Sequence, residues 1–188
     1  MLIQPYQTSW VDQFEQLKAE LLETLPPTVY IEHIGSTSVL GLAAKPIIDL
    51  DIVYASDKTE FNLIKTALQN MHYDYRGDQG IPGRDVFRRD NSGLHPILDH
   101  ISHHLYVCPA DSPELLNHLL LRDYLRLHPA ACQEYAALKY ALAAEAGQDR
   151  KRYAVLKEER VKNFFEQVKR NVGRRDRLYL TCNFREYV

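Results

Sequence analysis

The 188 residues carry 25 acidic and 23 basic side chains, a net charge of −2, and 45% of them are hydrophobic. That apolar share supplies a core and excludes a mainly disordered chain, and the balanced charge excludes a global basic excess able to grip nucleic acid non-specifically. No apolar run approaches the ~18–20 residues of a membrane helix, and the opening MLIQPYQTSW lacks the basic-then-apolar pattern of a signal peptide. Cys108, Cys132 and Cys182 are far apart and form no CxxC, so free thiols and a cytoplasmic location are expected rather than zinc or disulfides.

A first helix is expected from Ser9 as N-cap, with Asp12 in its first turn. Val11, Phe14, Leu17, Leu21 and Leu25 recur at helical spacing, and Pro26-Pro27 stop the helix by removing a donor and crowding the preceding turn. Residues 28–34 read as a short strand that runs into the small-residue turn Gly35-Ser36-Thr37-Ser38. After Lys45-Pro46 comes the strongest strand signal, residues 47–54. A helix follows over 57–71, with Phe61, Ile64, Ala67 and Leu68 on one face.

The middle is rich in glycine and proline over 76–84, with strands expected at 85–89 and 103–108 and a loop over 90–102. Asp111-Ser112-Pro113 then starts a helix that ends near His128-Pro129. A second helix closes at Gly147, and a third spans 149–172 with Val161, Phe164, Phe165, Val168 and Val172 as its apolar stripe. This order predicts an α+β fold: a small mixed β-sheet with flanking helices, followed by a C-terminal helical section. The expected organisation is one domain over 1–173, with a sheet core over 1–110 and helices over 111–173. Residues 174–188 form a tail of no assigned role, with a strand signal at 178–182.

Alternation along the 47–54 strand turns Ile48, Leu50 and Ile52 to one face and Asp49 and Asp51 to the other, the two carboxylates about 6.5–7 Å apart along the strand. Such a pair either binds a hard cation, as magnesium is bound through one or two carboxylates plus substrate phosphates, or is a solvated or lysine- and arginine-paired face. The Gly35-Ser36 turn has two readings as well. It is an ordinary helix start, or a cradle in which backbone N–H groups and the hydroxyls of Ser36, Thr37 and Ser38 hold a phosphate. On adjacent strands the turn and the aspartates fall side by side, and the combination is more specific than either part.

Other candidates are Lys45, placed to neutralise Asp49 or touch phosphate, and Arg84, Arg88 and Arg89, placed to clamp a triphosphate or simply exposed at a strand edge. His118, Arg122 and Arg126 share a helix face, as a substrate wall or a solvated surface. Tyr135 with Lys139, and Tyr153 with Lys157, fit packing and snorkelling. His100, His103 and His104 cluster without a zinc spacing.

The run His33-Ile-Gly-Ser-Thr-Ser-Val-Leu-Gly-Leu-Ala-Ala-Lys-Pro-Ile-Ile-Asp-Leu-Asp51 closely resembles the signature of the GrpB family, a branch of the DNA polymerase β-like nucleotidyltransferase superfamily. Gly80-Ile-Pro-Gly-Arg84, His103-His-Leu105, Arg122-Asp-Tyr-Leu-Arg126, Leu138-Lys139 and Tyr153 with Lys157 continue the resemblance, in order, from about residue 3 to 165. Leu40 replaces a common proline, Tyr106 stands where a second histidine is usual, and the last fifteen residues match nothing in the pattern.

The resemblance implies transfer of a nucleoside monophosphate from an NTP to an unknown small-molecule or protein acceptor, with Mg²⁺ (or Mn²⁺) on Asp49 and Asp51. It also implies a third carboxylate on the neighbouring strand. Residues 103–108 contain no acid, so His104 is the candidate for that place and Asp99 a candidate to reach in from the loop. The alternative is a catalytically degenerate nucleotide- or CoA-binding accessory module, linked through the same resemblance to dephospho-CoA kinase or to protein folding. A nucleic-acid partner is disfavoured, since the sole basic run, 169–177, sits at a helix end.

Overall fold

The computed structural model describes residues 1–89 and 95–172; the 178–182 strand signal, Cys182 and part of the expected 90–102 loop lie outside the described residues. Helix α1 (Ser9–Leu22) forms, with Thr8 rather than Ser9 at its N-cap and no side-chain cap bond. Trp10, Phe14, Leu17 and Leu21 carry its buried stripe, whereas Val11 is 47% exposed. The helix closes at Leu22, before the two prolines, and Leu25 still enters the core.

Strand β1 (Tyr30–Ile34) starts two residues later than expected, because the N–H of Val29 bonds the Pro26 carbonyl and keeps that stretch in a turn. A 3₁₀ turn, Ser36–Ser38, leads towards β2 (Ile48–Tyr54). Helix α2 (Lys58–Asn70) is capped by Asp57, whose carboxylate accepts the Thr59 N–H at 2.8 Å. Strands β3 (Tyr73–Tyr75), β4 (Asp85–Arg89) and β5 (His103–Pro109) complete the sheet. At three residues, β3 is too short to show an alternation in sequence.

The sheet order is β1-β2-β5-β4-β3, with β2 and β5 parallel and the other neighbours antiparallel. One face, carrying Ile48, Leu50, Ile52, Phe87 and Leu105, is buried against α1 and α2. On the other face Ile34, Val53 and Cys108 pack against Leu115 and Leu119 of α3 (Pro113–Leu127). Helix α3 is capped by Ser112, whose Oγ accepts the N–H groups of Glu114 and Leu115. Helices α4 (Pro129–Glu145) and α5 (Arg150–Asn171) follow. Their apolar stripes meet the segment after the 3₁₀ turn in a second core of Val39, Leu42, Leu125, Tyr135, Phe164 and Val168. This second core places the helical section over the open edge of the aspartate-bearing face.

Three sequence expectations change here. Arg122 ion-pairs with Glu32 and Asp123 and donates to the His33 carbonyl at 3.1 Å, and Arg126 donates twice to the Ser38 carbonyl. These arginines bolt α3 to β1 and to the turn rather than forming a solvated face, and Arg122 with His118 also lines a cavity that reaches Asp49. Arg89 is buried, paired with Asp99 and bonded to the Met71 carbonyl. It therefore clamps no triphosphate, and Asp99 is held away from the aspartate face.

Candidate functional site

Antiparallel pairing sets Ile34 opposite Asp49, which places the turn directly beside the first aspartate. Gly35 has φ +70° and ψ −168°, a region open to glycine and strained for other residues. A Cβ built there would overlap the Asp49 carboxylate. The glycine therefore permits a close approach between turn and acid, the condition for one ligand to touch both.

Within the turn the hydroxyls divide. Ser38 Oγ donates to the Gly35 carbonyl at 2.7 Å, and Thr37 Oγ1 lies 3.1 Å from His33 Nε2. Both residues are buried. Expected as phosphate donors, these two hydroxyls hold the turn in shape; Ser36 lines the cavities on either side of Asp49, and Thr37 also borders the smaller one. His33 serves the same scaffold: it stacks on Phe14 with centroids 4.5 Å apart. Burial, with Arg126 nearby, pulls its pKa down to about 4.

Parallel pairing sets Asp49 opposite His104 and Asp51 opposite Tyr106. His104 Nδ1 lies 2.8 Å from Asp49 Oδ1. Asp51 is 0% exposed, and its Oδ2 meets His118 Nδ1 of α3 at 2.7 Å. His118 Nε2 meets Glu114 at 3.4 Å. Burial works against a charge on this imidazole, and the two carboxylates overcome it, raising its pKa to about 9. The His118 contact holds Glu114 down to about 2. Burial pushes Asp51 up, against the pull of His118. The third carboxylate near the pair is thus Glu114, supplied by a helix and bridged through histidine. Nothing local in the sequence points to Glu114 as a partner of the aspartate strand, since it stands in the first turn of α3.

Arg84 lies 4.7 Å over the Tyr106 ring, within the electrostatic reach of Asp51 and Glu114. Arg88 is exposed on β4 opposite Asp74, and neither Arg84 nor Arg88 lines the two cavities beside Asp49, so the structure does not bring the expected clamp to them. His103 bonds Tyr73 and the Ile101 carbonyl. Among the described residues no group of three or more His, Cys, Asp or Glu side chains is arranged to hold a metal alone. Asp49 fits a carboxylate ligand, partly open and beside the turn. Asp51 keeps Oδ2 on His118 and has only Oδ1 to offer, so substrate oxygens must complete any cation shell.

Two cavities meet at Ser36, Asp49, Tyr106 and Lys157. The larger, about 480 Å³, runs between the sheet, α3 and α5 past Asn117, His118 and Phe165. The smaller, about 220 Å³, is walled by Lys45, Lys139 and Tyr153. Lys45 Nζ stands 4.4 Å from the Tyr153 ring centre. Lys139 was read as snorkelling, yet it is 1% exposed. The signal lay in its spacing: it falls on the same stripe of α4 as Tyr135, Leu142 and Ala143.

A five-stranded sheet with a Gly-Ser turn beside an Asp-x-Asp strand, roofed by helices, defines a nucleotidyltransferase-type fold. The poly(U) polymerase Cid1 superposes on it with a TM-score of 0.53 at 14% identity, over 76% of this chain and 43% of Cid1. More specifically, the chain belongs to the GrpB family, whose model, described as GrpB protein, matches residues 1–167. It is similar to the crystal structure of the conserved protein GrpB from Enterococcus faecalis, with a TM-score of 0.72, 33% identity and coverage of 88% of this chain and 96% of that one. It is also 36% identical over 166 residues to UPF0157 protein YqkA of Bacillus subtilis. That match takes in 88% of this chain and 46% of YqkA, so the chain spans about half of that relative's length. Among the described residues no helix is long and apolar enough to cross a membrane.

Proposed function

We propose that this chain binds a nucleoside triphosphate with a divalent cation and transfers its nucleoside monophosphate to an acceptor. The observation that carries the reading is the direct contact between the Gly35 turn and Asp49, with His104 on the next strand. It is supported by the fold it shares with Cid1, which has been solved with MgATP and with MgGTP. In this reading the acceptor attacks the α-phosphorus, the bond to the bridging oxygen breaks, and pyrophosphate leaves. A magnesium ion on Asp49 and Asp51 would neutralise charge on the attacking and leaving oxygens. Ser36 and the turn orient the phosphates, His104 fixes the Asp49 carboxylate, and His118 with Glu114 holds Asp51 in place. Arg84 supports the Tyr106 wall.

The test is pyrophosphate release from each of the four NTPs with Mg²⁺ or Mn²⁺. Release by the parent that falls at least a hundredfold in Asp49→Asn supports transfer. A second reading, a nucleotide- or CoA-binding module without turnover, is favoured by His104 and Tyr106, neither of them an acid, facing Asp49 and Asp51 on the neighbouring strand. Binding of a nucleotide or coenzyme A at Asp49 with no release would select it.

A further inference from the structure

The aspartate face of the sheet continues past β5, and there it carries charge that the two cavities do not use. Asp51 pairs with Tyr106, and Tyr106 with Val86 of β4. Alternation therefore puts Arg84, just before β4, and Arg88 on the same face as Asp49, Asp51, His104 and Tyr106. Carried one step past Phe87 and Leu105, the β4–β5 pairing sets Arg88 level with His104. At ~4.8 Å between neighbouring strands, Arg88 stands about 10 Å from Asp49 across the sheet. Arg88 is exposed, and the His104 side chain is 53% exposed, so the face is open there. Neither arginine forms an ion pair among the described residues. Asp74, opposite Arg88, is paired with Arg76 at 2.8 Å. Besides Lys139 Nζ, Arg84 Nε is a buried polar atom without a hydrogen-bond partner. Arg84 is also held in place: Ser112 Oγ donates to the Gly83 carbonyl at 2.6 Å and ties the preceding loop to the start of α3, and its guanidinium lies on the Tyr106 ring.

Beside these cations the three carboxylates of the site are all engaged. Asp49 meets His104, Asp51 meets His118 Nδ1, and Glu114 meets His118 Nε2 with one oxygen and accepts Asn117 Nδ2 with the other at 3.1 Å. A hydroxyl acceptor needs a base to take its proton as it attacks. A phosphate monoester, with a second pKa near ~6, is already a dianion at neutral pH and needs none, and guanidinium groups match its oxygens.

We propose that Arg84 and Arg88 hold an acceptor whose nucleophile is a phosphate monoester, on the open face of β5 and β4 beside the aspartates. The inference rests on the nucleotide reading and names the class of its acceptor. An oxygen of the acceptor phosphate attacks the α-phosphorus and forms a new P–O bond. The bond from the α-phosphorus to the bridging oxygen breaks, and pyrophosphate leaves with that electron pair. No proton moves, and the product is a diphosphate that joins the nucleoside to the acceptor. Arg84 from the Tyr106 side and Arg88 from the His104 side offset the charge of the dianion as it nears the α-phosphate.

The experiment is calorimetric titration of the full chain with phenyl phosphate, benzoate and phenol, with Mg²⁺ and a saturating α,β-methylene NTP analogue, which fills the nucleotide site and cannot release pyrophosphate. The parent is expected to bind phenyl phosphate at least tenfold more tightly than benzoate or phenol. Arg84→Gln and Arg88→Gln are each expected to weaken phenyl phosphate at least fivefold. Arg88 is exposed, so its variant carries the test if Arg84→Gln fails to fold. Absence of phenyl phosphate binding, equal binding of benzoate or phenol, or unchanged affinity in Arg88→Gln would overturn the acceptor class. Mg²⁺-dependent binding of the NTP analogue without phenyl phosphate binding sinks the acceptor class and leaves the nucleotide reading standing. If no NTP analogue binds, the nucleotide reading fails; phenyl phosphate binding that is weakened by Arg88→Gln and not by Asp49→Asn then keeps the phosphate platform without the transfer.

Discussion

Gly35 and Asp49 are in contact across two strands with no room for a side chain between them: a Cβ on Gly35 would overlap the carboxylate. The same glycine holds a backbone conformation with φ +70° and ψ −168°. Gly35→Ala therefore carries a strain of about 1–3 kcal/mol and must also displace Asp49. The expected outcome is a folded but less stable protein in urea unfolding, with nucleotide binding weakened as much as in Asp49→Asn. A variant that is destabilised but binds normally would separate the glycine from the site.

Asp51 and His118 make a pair whose pH dependence has a definite sign. An unfolded histidine titrates near ~6.5, and His118 is raised to about 9 in the fold. Its stabilising contribution is therefore full below ~6.5 and is lost as pH rises through 9. The stability gap between the parent and His118→Gln is expected to be largest at pH 6, about 2–3 kcal/mol, and to shrink between pH 6.5 and 9. A gap that grows with pH would contradict the imidazolium assignment. Glu114, held down to about 2, adds a second loss below the normal carboxylate range.

Lys139 runs the other way. Its folded pKa of about 7 lies below the ordinary 10.5, so the unfolded chain binds more protons between those values and parent stability gains from a rising pH. Lys139→Met removes a buried donor without a partner, so it is expected to stabilise the unliganded protein by about 1–3 kcal/mol. That advantage should be greatest below pH 7 and should fade towards 10.5. Thermal unfolding of both proteins from pH 6 to 10 checks it.

Arg122 lines the larger cavity, but its guanidinium is committed to protein partners. Removing it leaves Glu32 and Asp123 without their guanidinium and the His33 carbonyl without a donor. Arg122→Ala is expected to lower stability by about 2–3 kcal/mol. Nucleotide affinity, measured well below the new melting temperature, should fall less than threefold.

The sheet was legible where local rules suffice. Alternation in Ile48–Tyr54 sorts the core residues from the aspartates, and a glycine before small residues marks the turn. That 103–108 neighbours the aspartate strand came from the family resemblance rather than from a local rule, and its parallel direction, which sets His104 opposite Asp49, was not legible. What the sequence hides is distance. Nothing local says that Asp51 would be sealed by His118 from α3, 67 residues on, or that Arg122 would reach back to Glu32. Thr37 and Ser38 looked like donors because side-chain chemistry is visible and direction is not. Lys139 was hidden by its type, since a lysine on a helix is read as snorkelling until its stripe proves to be the buried one.

The most direct measurement is calorimetric titration of the parent and Asp49→Asn with each NTP, with and without Mg²⁺. The account predicts that at least one NTP binds the parent only with the cation, and that Asp49→Asn loses this binding at least a hundredfold while unfolding at a similar temperature. Metal-independent NTP binding, or binding that Asp49→Asn leaves unchanged, would contradict a nucleotide–metal site at Asp49.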